Sequence, residues 1–147
     1  MLKTIGFAFA LGLAAAAPAV AAENAALAPI HQFADGMNAG DMKKAAGAYA
    51  ASSPIIDEFA PHLWANFADW SRDAGAFFKA TATTDLHIAL GTVGHTEFGA
   101  AKGYAVVPTT LTYKVKGKPV TEKGIFTFAL TKQADGWRIA GWTWTTL

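Results

Sequence analysis

The chain has 147 residues, a formal net charge of +1, 52% hydrophobic residues and no cysteine. That length suits one domain with its own core. A near-neutral charge with no basic patch argues against a nucleic-acid partner, and the missing cysteines exclude thiol nucleophiles, thiolate metal sites and disulfides.

Met1-Leu2-Lys3 is a short positive start, Thr4 to Ala17 is an apolar run, and Pro18 to Ala22 offers small residues for cleavage. This is the pattern of a secretory signal peptide. The expected organisation is a leader over residues 1–22, cleaved after Ala21 or Ala22, and one domain over residues 23–147. The expected location is periplasmic or secreted. No later run is apolar for long enough to cross a bilayer, so no membrane contact is expected once the leader is removed.

Ala25 to about Asn38 reads as a helix, with Ile30, Phe33, Ala34 and Met37 on one stripe and Pro29 within the first turn. Asp41 is placed to cap a second helix, Met42 to about Ala50. Ser52-Ser53-Pro54 ends it. Ile55 to Phe59 reads as a short strand or extended arm, stopped by Pro61. A third helix is expected from about Trp64 to Ala80, with Phe67, Trp70, Ala74, Phe77 and Phe78 on its apolar side.

Thr84 to about Thr92 alternates as a strand, with Leu86, Ile88 and Leu90 on one face and His87 on the other. From Gly103 to Leu147 β-branched and aromatic residues dominate, and turns at Lys116-Gly117-Lys118-Pro119 and Gln133-Ala134-Asp135-Gly136 cut the stretch into a three-strand meander. Leu111, Tyr113 and Val115 share a face, as do Phe126, Phe128 and Leu130. Pro108 marks an edge or bulge. In the last strand Trp137 and Ile139 fall opposite Trp142 and Trp144 unless a bulge at Gly141 intervenes. Helices followed by strands imply an α+β fold with an antiparallel sheet. Rings on both faces of the last strands imply a homodimer through the sheet.

The order of elements, Gly40-Asp41-Met42 before the second helix, the acid after the short strand, the Gly-Lys-Pro-Val turn and the ending Gly136-Trp137-Arg138-Ile139 together resemble the nuclear transport factor 2-like superfamily. The resemblance covers residues 23–147. Its members include SnoaL-type polyketide cyclases, ketosteroid isomerase and scytalone dehydratase. It implies a cone: a curved antiparallel sheet wrapped around three N-terminal helices, with a pocket at the open end that suits small apolar ligands.

Ketosteroid isomerase-like members carry a catalytic acid after the short strand, and Asp57 is the matching position, as general base or as polar anchor for ligand. The isomerase's oxyanion hole finds no match here. There is no Tyr between Ala25 and Asn38, and Glu122, the only carboxylate within the late strands, lies beside a turn. Dehydratase-like members use His with Asp, which makes His62 and His87 candidates to assist Asp57 near neutral pH. Trp64, Tyr104, Trp142 and Trp144 are candidates to line the pocket, while Trp70 and Trp137 read as core. No His/acid spacing matches a metal site, and no phosphate loop or dinucleotide fingerprint is present, so neither metal nor cofactor is expected. The resulting expectation is an exported domain that binds a small, largely apolar molecule. The alternatives are a cofactor-independent isomerase, dehydratase or cyclase with Asp57 as base, and an assembly module with a filled pocket.

Overall fold

Alternating β-branched and aromatic residues, cut by two tight turns, produce the meander that carries the rest of the molecule. A computed structural model describes residues 16–147, with side chains from residue 25 onward. The leader expected over residues 1–22 therefore lies mostly outside the described residues. The meander is β5 (Lys102–Val115), β6 (Lys118–Gln133) and β7 (Gly136–Thr146). Its first turn is two residues, Lys116 and Gly117, at φ 51° and 78°. Two left-handed residues in succession match the right-handed twist of the strands they join.

Ahead of the meander come α1 (Ala16–Ala39), α2 (Met42–Ala46), β1 (Ile55–Ile56), β2 (Leu63–Trp64), α3 (Phe67–Thr81), β3 (Thr83–Leu90) and β4 (His95–Phe98). The sheet order is β2-β1-β7-β6-β5-β3, with β4 also on β5. All pairs are antiparallel except β1 with β7. This is the expected α+β order, a curved, unclosed sheet with the helices on its inner face.

Several boundaries differ from the periodicity reading, each for a local reason. The first helix is longer, so Pro29 lies in its interior rather than its first turn. The second helix is capped as expected, the Asp41 carboxylate accepting Lys44 N–H at 2.9 Å, but it stops at Ala46. The chain then turns to pair with β7: Ile139 N–H donates to Ala48 O at 2.8 Å and Ala50 N–H to Ile139 O at 2.9 Å. The third helix starts at Phe67, capped by Asn66, because Leu63 and Trp64 pair with Ile56 and Ile55 as a strand. Pro108 sits where β5 changes partner, after Val106 opposite β4 and before Thr109 opposite β3, so its missing N–H breaks no ladder bond. Asn38, at the end of α1, closes part of the outer edge of β3 by bonding both the N–H (2.7 Å) and the C=O (2.9 Å) of Ile88.

The last strand departs most from simple alternation. Ala129 pairs with Gly141 and Leu130 with Ile139, which leaves Ala140 as an extra residue in β7. The bulge returns Trp142 and Trp144 to the face that holds Ile139. All three are buried, with Phe126, Phe128 and Leu130 beside them. The rings read as lying on both faces therefore lie on one. The outer face presents threonines such as Thr112, Thr121 and Thr145 instead, so the exposed-ring argument for a dimer through the sheet loses its premise.

Phe33 of α1 is the centre of this core. It is 1% exposed and its ring lies within 6.4 Å of those of Tyr49, Phe67, Phe126, Phe128 and Trp142. Such ring pairs each add about 0.5–1.5 kcal/mol beyond the area they bury.

Gly141 has φ 156°, and a Cβ there would lie 2.7 Å from Pro54 O. Gly141→Ala is therefore expected to cost about 1–3 kcal/mol in urea unfolding. A change within about 0.5 kcal/mol, the range of an unconstrained surface site, would show that the close approach of Pro54 is dispensable.

Candidate functional site: an aromatic cone with carboxylates in its wall

The open end of the cone encloses a cavity of about 580 Å³. That size falls within the range of about 300–1,000 Å³ that holds a small organic ligand. Trp70, Phe77 and Phe78 of α3 form one wall, and Phe33 and Met37 of α1 lie below. The sheet contributes Leu86 and Ile88 from β3, Leu111, Tyr113 and Val115 from β5, Phe126 and Glu122 from β6, and Trp142 and Trp144 from β7. Asp57, Glu58 and Phe59, just after β1, complete the rim.

Asp57 is held by two donors. Its Oδ2 accepts Trp70 Nε1–H at 2.9 Å and its Oδ1 accepts the backbone N–H of Glu58 at 2.7 Å. Burial pushes its carboxyl above the usual aspartate range; the two donors oppose that, and the charges of Glu58 and Glu122 add to it. The result is a carboxylate in an apolar wall that holds a proton more readily than a solvated one.

A second polar group lies across the strands. Tyr113 Oη–H donates to Glu122 Oε2 at 2.9 Å. Burial, followed by the hydrogen bond to Glu122, raises the Tyr113 phenol, so it remains a donor. The Thr146 N–H donates to Glu58 Oε1 at 2.6 Å. The Thr146 hydroxyl contacts both Glu58 Oε2, at 2.6 Å, and Glu122 Oε1. One hydroxyl proton thus faces two carboxylate oxygens. Behind this set Trp142 Nε1–H donates to Tyr49 Oη at 2.8 Å, and burial pushes the Tyr49 phenol well above its ordinary value.

The structure brings together some of the residues singled out in the sequence and separates others. Asp57, Trp142 and Trp144 line the cavity. His62 does not. It sits at φ 74° in the turn after Asp57, its Nδ1 3.2 Å from Asp57 O, with its ring facing solvent. His87 is exposed on the outer face of β3, because Ile88 takes the inward position. Tyr104 is 41% exposed on the outer face of β5, edge-on to His95 at 6.0 Å. Trp64 is buried behind the rim: its Nε1–H donates to Asp73 at 3.0 Å and its ring supports Phe59 at 4.7 Å.

Trp70, Tyr113, Glu122, Glu58 and Phe59 are site residues that sequence reasoning missed. Trp70 belongs to the core, as read, but its indole N–H is aimed at Asp57. The signal for Glu122 was present. Counting back by twos from Phe126 reaches Gly124 and then Glu122 on the same inward face, and the two-residue turn sets Glu122 opposite Leu111, beside Tyr113.

No protein-family model matches the chain, and no curated protein matches it. Solved structures do. A ketosteroid isomerase-like protein from Erwinia carotovora aligns with a TM-score of 0.67 at 16% identity, over 84% of this chain and 95% of that one. A nuclear transport factor 2-like protein with a cystatin-like fold from Novosphingobium aromaticivorans aligns with a TM-score of 0.71 at 13% identity, over 92% and 88%. A hexachlorocyclohexane dehydrochlorinase from Novosphingobium barchaimii aligns with a TM-score of 0.73 at 11% identity, over 87% and 88%. At these identities the likeness shows the fold. It is the nuclear transport factor 2-like fold, as the sequence resemblance implied.

The raised Asp57 carboxyl has a consequence for stability against pH. Between the ordinary aspartate value of about 3.9 and the higher folded value, the folded state binds more protons than the unfolded one, so the Asp57 contribution falls as pH rises. Unfolding of the parent and of Asp57→Asn is expected to show this as a difference, parent minus variant, that is flat at acid pH and declines through that window. A difference that grows with pH would mean that Asp57 is stabilised as the anion.

Proposed function

We propose that the protein binds a small, largely apolar and planar molecule in the cone, with Asp57 as its polar anchor. The observation that carries this reading is the cavity itself. It is ringed by Trp70, Trp142, Trp144 and Phe77 and left open by the side chains around it. An assembly module with a filled pocket does not need such a space. Burial of a flat apolar ligand between these rings contributes about 25 cal/mol for each Å² removed from water, and one half-buried carboxylate orients it.

A second reading has one specific observation in its favour. A carboxylate raised by burial in an apolar wall is a stronger base than a solvated one, which suits it to take a proton from a carbon acid. In that reading Asp57 acts without a histidine, since His62 and His87 point away from the cavity, and Tyr113 is a hydroxyl donor in the same cavity wall. The fold is shared with isomerase-like and dehydrochlorinase proteins, which is consistent with either reading.

One set of experiments separates these readings. A library of neutral planar and steroid-like molecules is expected to raise the melting temperature of the parent. Leu111→Trp, which fills the cavity from β5, should remain folded and lose that rise. A parent that no molecule shifts would count against the pocket. For a ketone that does bind, exchange of its α-protons in D₂O, followed by NMR, should be catalysed by the parent and lost in Asp57→Asn if Asp57 is a base. Binding without exchange leaves Asp57 as an anchor.

A further inference from the structure

We infer that the molecule taken by the cone carries a positive charge: an amine or other organic cation on a planar apolar body. This rests on the reading that the cavity binds a small molecule. The cavity makes the site, and its wall sets the sign of the charge it accepts.

Among the described residues, three carboxylates line the cavity, Asp57, Glu58 and Glu122, and no Lys, Arg or His does. The ion pairs among the described residues are Lys44 with Asp35, Arg72 with Asp69 and Asp73, Lys114 with Asp85, and Arg138 with Asp135. None reaches the cavity carboxylates. Carboxylates facing an apolar space without a cation create a local negative potential there, strengthened by the low dielectric of the walls. Glu58 and Glu122 already act on Asp57 in this way, each disfavouring its charged form.

The wall also matches the other half of such a ligand. Rings of Trp70, Trp142 and Trp144 line the same space, and indole faces attract organic cations. The hydrogen-bond inventory points the same way. Tyr113 serves one oxygen of Glu122 and the Thr146 N–H one oxygen of Glu58, but the other oxygen of each shares the single hydroxyl proton of Thr146. An ammonium brings N–H donors and charge together, whereas a neutral alcohol brings one donor and a carboxylate ligand brings none. The described residues contain no group of three acids and histidines arranged to hold a metal ion, which directs the inference to an organic cation.

Three probes of one shape test it: 2-naphthylmethylamine, 2-naphthylmethanol and 2-naphthoate, titrated calorimetrically into the full chain. The ammonium is expected to bind about tenfold or more tightly than the alcohol, with naphthoate undetectable and added salt narrowing the gap. Glu122→Gln and, separately, Glu58→Gln should shrink that ratio. Two variants are used so that the misfolding of one leaves the other to decide. An alcohol that binds as tightly as the amine, or a ratio unmoved by either variant, overturns the inference and leaves the pocket standing. Binding of none of the three, by a protein that unfolds cooperatively, overturns the pocket reading and this inference together.

Discussion

The geometry of the site depends on one extra residue in the last strand. Without Ala140 as a bulge, alternation would send Trp142 and Trp144 to the outer face, away from Ile139. With it, both indoles turn into the cone, Trp142 against Phe33 and Phe126 and Trp144 against Phe126. The adjoining Gly141 has no side chain, which lets Pro54 O approach and accept Trp142 N–H at 3.3 Å. That contact seats β1 in parallel beside β7, in register with Trp142 and Thr143. Asp57 follows β1 directly, so the bulge also fixes where the carboxylate enters the cavity wall.

From there the energetics run through the rings. Phe33 joins α1 to the sheet, and replacing such a residue by alanine costs about 3–5 kcal/mol in other cores. Trp70 contributes to the core with its ring and to the site with its edge. The ring meets Phe67 and Trp142, and the N–H holds Asp57. A buried indole needs a partner for that N–H, and a buried carboxylate needs a donor, so each makes the other's burial tolerable. Core packing and ligand chemistry therefore share residues, and a substitution at Trp70 would change both at once.

Much of the fold was legible because it is local. Two turn signals, helical stripes on Phe33 and Trp70, and an Asp41 cap gave the element order and the α+β class. The errors lie where tertiary pairing overrides a local pattern. Ala48 and Ala50 leave their helix for the backbone of Ile139, and Trp64 joins a strand to meet Ile55. The site was legible in part. Asp57, Trp142 and Trp144 carried signals of position and composition, but His62 and His87 drew attention through chemistry alone, and the backbone turns both outward. Glu122 was set aside for lying near a turn, although strand parity places it inward. Trp70 could not have been read as a ligand of Asp57, since residues 57 and 70 meet only through the folded chain.

Two indole–carboxylate pairs now provide an internal comparison. Trp70 holds Asp57 in the cavity wall, where burial raises the carboxyl; Trp64 holds Asp73, whose carboxyl is lowered by its hydrogen bonds to Arg72 and Trp64. The decisive measurement is a pH titration of the tryptophan indole ¹⁵N–H resonances. The Trp70 signal should move with a midpoint above the ordinary aspartate value of about 3.9, and the Trp64 signal with one below it. Coincident midpoints, or a Trp70 signal that does not respond to pH, would contradict an apolar cone with Asp57 set in its wall.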